Sequence, residues 1–263
     1  MATREDIYAN KIFLNAVLPL VKTIIASNEK YAKKFKNKNG IVGVSAKDPD
    51  GKVGTHYIIE NGDFTVVKGP NDKCDVELEF SSIKDLNDFF AGKSKKLPKI
   101  KGWYHVGLLT ATLSVLMYMA NLLGVTEPPQ NDDEKDLVVK LYFSLLSTGI
   151  SQLNKTGHPE VSKWVKKSPD RIFAWKVTGK PELSSYIRIK AGKSKAARGE
   201  YKRSKPFFTM RFDSTDSALG TLLGIDDMIE ATITEKLIME GAPEFGAQLG
   251  EYMLLVGSYA KGN

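Results

Sequence analysis

The stretch CDVELEFSSIKDLNDFFAG, from Cys74 to Gly92, does most to limit what this chain can fold into. Val76, Leu78 and Phe80 alternate with Asp75, Glu77 and Glu79, the period of two expected of a strand with one buried and one wet face. The period then changes. Ser81 or Ser82 can cap a helix, with Asp85 placed to reach back, and Ile83, Leu86, Phe89 and Phe90 recur at helical spacing. Gly92 is a C-terminal stop. A two-faced strand running into an amphipathic helix is the unit of a sheet with helices on one side.

The unit recurs. FDSTDSALGTLLG, from Phe212 to Gly224, follows FSSIKDLNDFFAG, from Phe80 to Gly92, at a constant offset of 132 residues. Upstream, Gly192 and Gly199 answer Gly62 and Gly69 at an offset of 130, each pair after a strand-like run. Downstream, Met239-Glu240-Gly241 stands opposite Ile100-Lys101-Gly102. The order strand, turn, strand, turn, strand, helix, strand, Gly is kept twice, which reads as a tandem duplication.

The first copy is preceded by a long helix over Arg4 to Lys36, kinked where Pro19 removes a backbone donor. Strands are expected near Ile41–Ala46, Thr55–Glu60 and Phe64–Lys68, the last two joined by Asn61-Gly62 with Asp63 as a third loop residue. With the strand after Cys74 this makes four strands in meander order, most simply antiparallel. TEPPQNDDEKD, residues 126–136, is the best linker, so the chain divides into a lobe over 1–125 and a second over 137–263. In the second, helices at Leu137–Asn154 and Pro159–Lys167 precede strands at Arg171–Thr178, Ser184–Ile189 and Phe207–Phe212. WYHVGLLTATLSVLMYMANLL, from Trp103 to Leu123, holds no Asp, Glu, Lys or Arg. Its polar residues and the lack of a second span favour a helix buried in the protein, or one covering an apolar cavity and meeting a membrane surface, over a true span.

The formal net charge is +7, and the lysines are clumped: five from Lys30 to Lys38 and five from Lys93 to Lys101. Nine Lys or Arg fall between Lys180 and Lys205. Such runs attract phosphate-bearing partners, nucleic acid or anionic lipid, or simply form a solvated face. A single cysteine, Cys74, excludes an internal disulfide. The N-terminus has no secretory pattern, so a cytoplasmic location is expected.

Catalytic motifs are missing. His56, His105 and His158 are far apart, and no H-E-x-x-H, C-x-x-C or G-x-S-x-G occurs. Gly92-Lys93-Ser94 and Gly192-Lys193-Ser194 look like the end of a phosphate loop but lack its first glycine. No enzyme activity, cofactor or metal is expected.

HYIIENGDFTVVKGPNDKCDVELEFSSIKDLNDFFAGKSKKLPKIKG resembles a sterol carrier protein domain in the order of its strand ending at a Gly, its charged-Val strand, its Ser-started helix and its late Lys-Ile-x-Gly strand. The similarity spans Gly40 to Leu123, and more loosely Arg171 to Val256 through YIRIKAG, FFTMRFDS, LLG and LIMEG. Two departures stand out: the lysine-rich segment is short, and Lys261-Gly262-Asn263 is not the peroxisomal tripeptide. The resemblance implies an α+β fold of two sterol-carrier-like lobes, each a mostly antiparallel sheet of about five strands with helices on one face. Between them it implies an apolar tunnel for a lipid or sterol-like small molecule.

Candidate lining residues are Leu86, Phe89, Phe90, Leu109, Leu113, Leu116 and Met117 in the first lobe. In the second they are Leu219, Leu222, Leu223, Met239, Phe245, Leu249 and Met253, and each is also readable as plain core. Burying ~500 Å² of ligand would yield on the order of 12 kcal/mol gross. Association and ordering remove several of these, leaving roughly micromolar binding. Non-enzymatic lipid binding at an anionic membrane is the expectation. Nucleic-acid binding through basic runs interleaved with Tyr201, Phe207 and Phe208, a scaffold with filled cavities, and a helper module of a lipid-modifying enzyme system are the rivals.

Overall fold

Asn61 and Gly62 both adopt positive φ, 50° and 89°, and between them close a two-residue hairpin in which Glu60 faces Asp63. Asp63 therefore opens a strand and is not a third loop residue. That hairpin starts the first sheet in a computed structural model that describes residues 2–261. The chain folds as two compact units: one runs through Asn121 and takes in the chain's end from Ser258, and the other is Leu122–Gly257. The segment expected as a linker over 126–136 is already helical from Asp132, where Asn131 caps the N-terminus.

In the first unit, β1 (Gly40–Asp48), β2 (Gly51–Glu60), β3 (Asp63–Lys68), β4 (Val76–Phe80) and β5 (Lys99–Lys101) form one sheet in the order β3-β2-β1-β4-β5. Three pairings are antiparallel, but β4 lies parallel to β1, with Val44 opposite Leu78. The meander is thus corrected. After β3 the chain crosses three strand spacings, ~14 Å, to the far side of β1, and the connection over residues 69–75 is long enough to do so, since seven residues reach up to ~24 Å.

The N-terminal helix is corrected too. Proline at 19 has no N–H to give, so the turn before it widens. Helix α1 (Arg4–Ile12) runs into a π turn (Phe13–Val17), and α2 (Leu20–Ser27) follows Pro19. Asn28, extended, ends α2 and caps α3 (Glu29–Phe35) by accepting from the Lys30 amide. Buried side chains of β2 reach the carbonyls at this break. Thr55 donates to Leu14 O at 2.6 Å and Tyr57 to Leu18 O at 2.9 Å. Helix α4 (Ile83–Phe90) has Ser82 as N-cap, accepting from the Asp85 amide. Helix α5 (Val106–Leu123) ends the unit.

In the second unit, α6 (Asp132–Thr156) and α7 (Pro159–Lys167) precede β6 (Arg171–Val177), β7 (Lys180–Lys190), β8 (Lys193–Arg198) and β9 (Phe208–Phe212). Helix α8 (Thr215–Leu222), helix α9 (Met228–Ile233), β10 (Leu237–Glu240) and α10 (Pro243–Lys261) as far as Gly257 complete it. Its sheet order is β10-β9-β6-β7-β8, with β6 and β9 parallel. Taken strand for strand, that is the topology of the first sheet. The caps agree as well: Ser82 and Ser214, both N-caps, stand 132 residues apart. Asp136 ties the helical layer to the sheet, accepting from Lys180 Nζ at 2.6 Å and from Thr215 Oγ1 at 2.8 Å.

The wet face expected of β4 is another correction. Glu77 and Glu79 are 5% and 6% exposed, because β4 is flanked on both edges and lysines close over its outer face. Ser45 donates to Glu77 at 2.7 Å, Lys52 reaches Glu77 at 3.0 Å, and Lys101 binds both carboxylates. For Glu77, burial works against ionisation, yet Ser45, Lys52 and Lys101 together hold its carboxyl below the usual range. Glu79 is held low chiefly by Lys101.

Candidate apolar ligand site

On the inner face of the first sheet, Val42, Val44, Val76, Leu78 and Phe80 are at most 2% exposed. Onto Phe80 the last turn of α4 lowers two half-buried rings, Phe89 at 5.2 Å and Phe90 at 6.0 Å between centroids. Phe13, in the π turn, meets Phe90 at 5.9 Å. The structure therefore brings Leu86, which is fully buried, together with Phe89 and Phe90 on one helix, and adds Phe13, which sequence reading did not single out. An i, i+3, i+4 pattern placed the first three. Phe13 needed the distortion at Pro19 to reach them.

Helix α5 has a different anchorage. Tyr118 stacks on Tyr31 of α3 at 4.4 Å, and Lys34 donates to Ser114 at 2.6 Å. On this helix Leu116 is buried and Leu109 and Leu113 are half-buried, whereas Met117 is 68% exposed. Met117 is therefore not a lining residue. A helix without a charged residue offers no charged face to reveal which side is wet, and the Tyr31–Tyr118 stack sets the rotation instead. Only 39% of α5 is buried, against 72% of the most apolar 18-residue window of Arg4–Ser27, the other stretch among the described residues that is apolar and long enough to cross a membrane.

In the second unit, Phe245 packs on Phe207 at 4.9 Å, and the Arg171 guanidinium lies 3.9 Å from the Phe207 ring and 5.0 Å from the Phe245 ring. Met239 and Phe208 crowd Gly246 so closely that a Cβ there would sit 2.3 Å from the Met239 sulfur. The Met253 sulfur accepts from Trp175 Nε1 at 3.3 Å, which commits that side chain to the core. Leu219 and Leu249 are fully buried, and Leu222 and Leu223 are half-buried at the end of α8. Phe208 is 0% exposed, so of the aromatics expected to interleave with the basic runs only Phe207 and Tyr201 reach the surface.

Four surface clefts of about 330 to 620 Å³ are present on the two units. Of the expected lining residues, Phe245 alone borders any of these four, in a cleft of about 490 Å³ with Trp164, Tyr252, Lys163, Arg171 and Glu251. Burial pushes the Tyr252 phenol up, and Glu160 and Glu251 push the same way. The tunnel expected between sheet and helices is not one of these clefts. The histidines do not converge: His56 meets Gly69 O at 2.9 Å, and His105 is exposed. Among the described residues no group of three His, Cys, Asp or Glu is placed to hold a metal.

Three solved structures are similar to part of this chain. Sterol carrier protein domain 2 of Helicoverpa armigera shares 21% identity and covers 40% of this chain and 85% of its own, with a TM-score of 0.31. The ubiquinone synthesis protein UbiJ-SCP2 shares 16%, covering 44% of this chain and 96% of its own, at 0.27. A conserved hypothetical protein of Thermus thermophilus shares 13%, covering 44% and 85%, also at 0.27. No protein-family model and no curated protein matches the chain.

Proposed function

We propose that the protein binds a lipid or sterol-like ligand between the sheet and helices of at least one unit, and that it does so without catalysis. The observation that carries this reading is α5. It has eighteen residues without a charge, and it is the less buried of the two long apolar stretches. A helix this apolar gains by closing over something more than the sheet offers it, at roughly 25 cal/mol for each Å² of apolar surface withdrawn from water. Half-buried side chains stand ready to complete that burial, Phe89, Phe90, Leu109 and Leu113 in the first unit and Leu222, Leu223 and Phe245 in the second. Entry of a ligand then requires α5 to move outward against the Tyr31–Tyr118 stack that anchors it.

The test is titration with a dansylated fatty acid. Stoichiometric enhancement, reversed by unlabelled fatty acid and lost in Leu113→Arg with its circular dichroism intact, is the expected result. Failure of the probe to bind the folded protein at micromolar concentration rejects the reading. A second reading rests on the cleft of Tyr186, Arg188, Lys195, Tyr201, Lys202 and Arg203, which, Glu200 apart, is basic and aromatic as a single-stranded nucleic acid would want. Asp170 already binds Arg188 there at 2.8 and 2.6 Å. Salt-sensitive anisotropy of a labelled oligonucleotide would favour that alternative.

A further inference from the structure

Between α4 and α5 the first unit displays side chains that a soluble fold has little reason to expose. Trp103 is 68% exposed, Tyr104 69%, Val106 60% and Leu97 76%. The two aromatic rings meet edge to face at 6.3 Å. Lys93, Lys95, Lys96 and Lys99 are exposed in the same segment. Lys96 is paired with Asp85, while Lys93, Lys95 and Lys99 make no ion pair with a described residue.

The second unit is an internal control. Its β10 is followed by Gly241, the counterpart of Gly102, and Ala242 and Pro243 follow that glycine as Trp103 and Tyr104 follow Gly102 in the first. In place of the lysine segment it carries α9 and its flanks, with Asp226, Asp227, Glu230 and Glu235. A strand-to-helix connection forms there too, with one residue between Gly241 and α10 against three between Gly102 and α5, without an aromatic pair and beside a mainly acidic segment. The fold therefore does not require Trp103, Tyr104 or the lysines.

We infer that this edge of the first unit docks on the surface of an anionic bilayer. Trp and Tyr are amphipathic rings that settle at headgroup depth. Lysines of one sign beside them supply the charge complement to acidic lipid. Docking of this kind does not depend on the proposed ligand site, so either can fail alone.

Trp103 makes the test direct, because Trp164 and Trp175 are 9% and 0% exposed and Trp103 dominates any change in emission on docking. Vesicles of phosphatidylcholine with phosphatidylserine should shift the emission to the blue and sediment the protein, while phosphatidylcholine alone should do neither. Replacing Lys93, Lys95 or Lys99 by Gln should weaken sedimentation about fivefold each. The double variant W103A/Y104A should abolish it while still binding the dansylated fatty acid. Equal binding to vesicles without phosphatidylserine, full binding by W103A/Y104A, or a labelled oligonucleotide that displaces the vesicles would each overturn the inference.

Discussion

Thr55→Val should destabilise the first unit more than Tyr57→Phe, although tyrosine is the larger residue. In an unbroken helix Leu14 O would accept from the Leu18 amide, but that amide bonds Phe13 O at 2.9 Å. In the π register Leu14 O would accept from residue 19, a proline with no N–H to give. The Thr55 hydroxyl is what remains, at 2.6 Å, on a side chain 0% exposed. Valine keeps the shape and removes the donor, leaving a buried carbonyl unsatisfied at a cost of about 1–3 kcal/mol. Leu18 O, by contrast, accepts from the Val21 amide at 3.2 Å as well as from Tyr57. Losing the phenol there costs the net worth of one hydrogen bond, about 0.5–1.5 kcal/mol. Urea unfolding followed by far-ultraviolet circular dichroism reads both. Hydrogen exchange at β2 assigns the transition to this unit, and an unchanged denaturant slope shows that stability alone has moved. In a Pro19→Ala background, where the helical ladder can close on its own, the cost of Thr55→Val should fall. The reasoning fails if Thr55→Val costs less than Tyr57→Phe, or if Pro19→Ala leaves its cost unchanged.

Glu77 and Glu79 have carboxyls held below the usual range in the folded state, so their contribution is complete above the unfolded value and is lost as pH falls through the lowered one. Lys101→Met should therefore raise the pH at which acid unfolding of the first unit begins, and a circular-dichroism acid titration identical to the parent's would contradict this. Cys74 is half-buried, donates to Asn71 O at 3.0 Å, and its thiol is pushed up to about 11 by burial and by Glu77. Its reaction with a disulfide reagent at pH ~8 should be far slower than a free cysteine's, and a rate matching free cysteine would disprove the geometry. A Cβ on Gly149 of α6 would lie 2.5 Å from Val256 Cγ1, a fully buried side chain. Gly149→Ala should cost about 1–3 kcal/mol in urea, and a neutral result would mean that α6 and α10 pack less closely.

What could be read from the residues alone was what neighbours in sequence decide. The strand from Val76, the Ser82 cap and α4 each depend on contacts within a few residues, and so does the Asn61-Gly62 turn. The partner of β4 does not. Nothing local says that β4 will pair with β1 instead of β3, and the burial of Glu77 and Glu79 follows from that choice, because only then do Lys52 and Lys101 stand over them. The candidate site divides in the same way. Helical spacing put Leu86, Phe89 and Phe90 on one face. It was silent about Met117, whose exposure is set by an aromatic stack with Tyr31, 87 residues before Tyr118.

The two units show which of these long-range features the fold needs and which each unit has adapted. Lys101 on β5 binds Glu79 on β4. At the matching places on β10 and β9, Glu240 binds Arg211 at 2.7 Å. The signs are exchanged and the bridge is kept, so the requirement is for opposite charges across the outer edge of the sheet, with either strand able to carry the acid. Where the first unit has Glu77, the second has Thr209, buried and uncharged. A second lysine is then unnecessary, and the position answering Lys52 is Glu182. Inner faces, by contrast, stay apolar in both units, Val76, Leu78 and Phe80 answering Phe208, Met210 and Phe212. A partner that recognised the sheet's outer face would have to read two differently charged surfaces. A ligand held against the inner face would meet much the same chemistry in either unit.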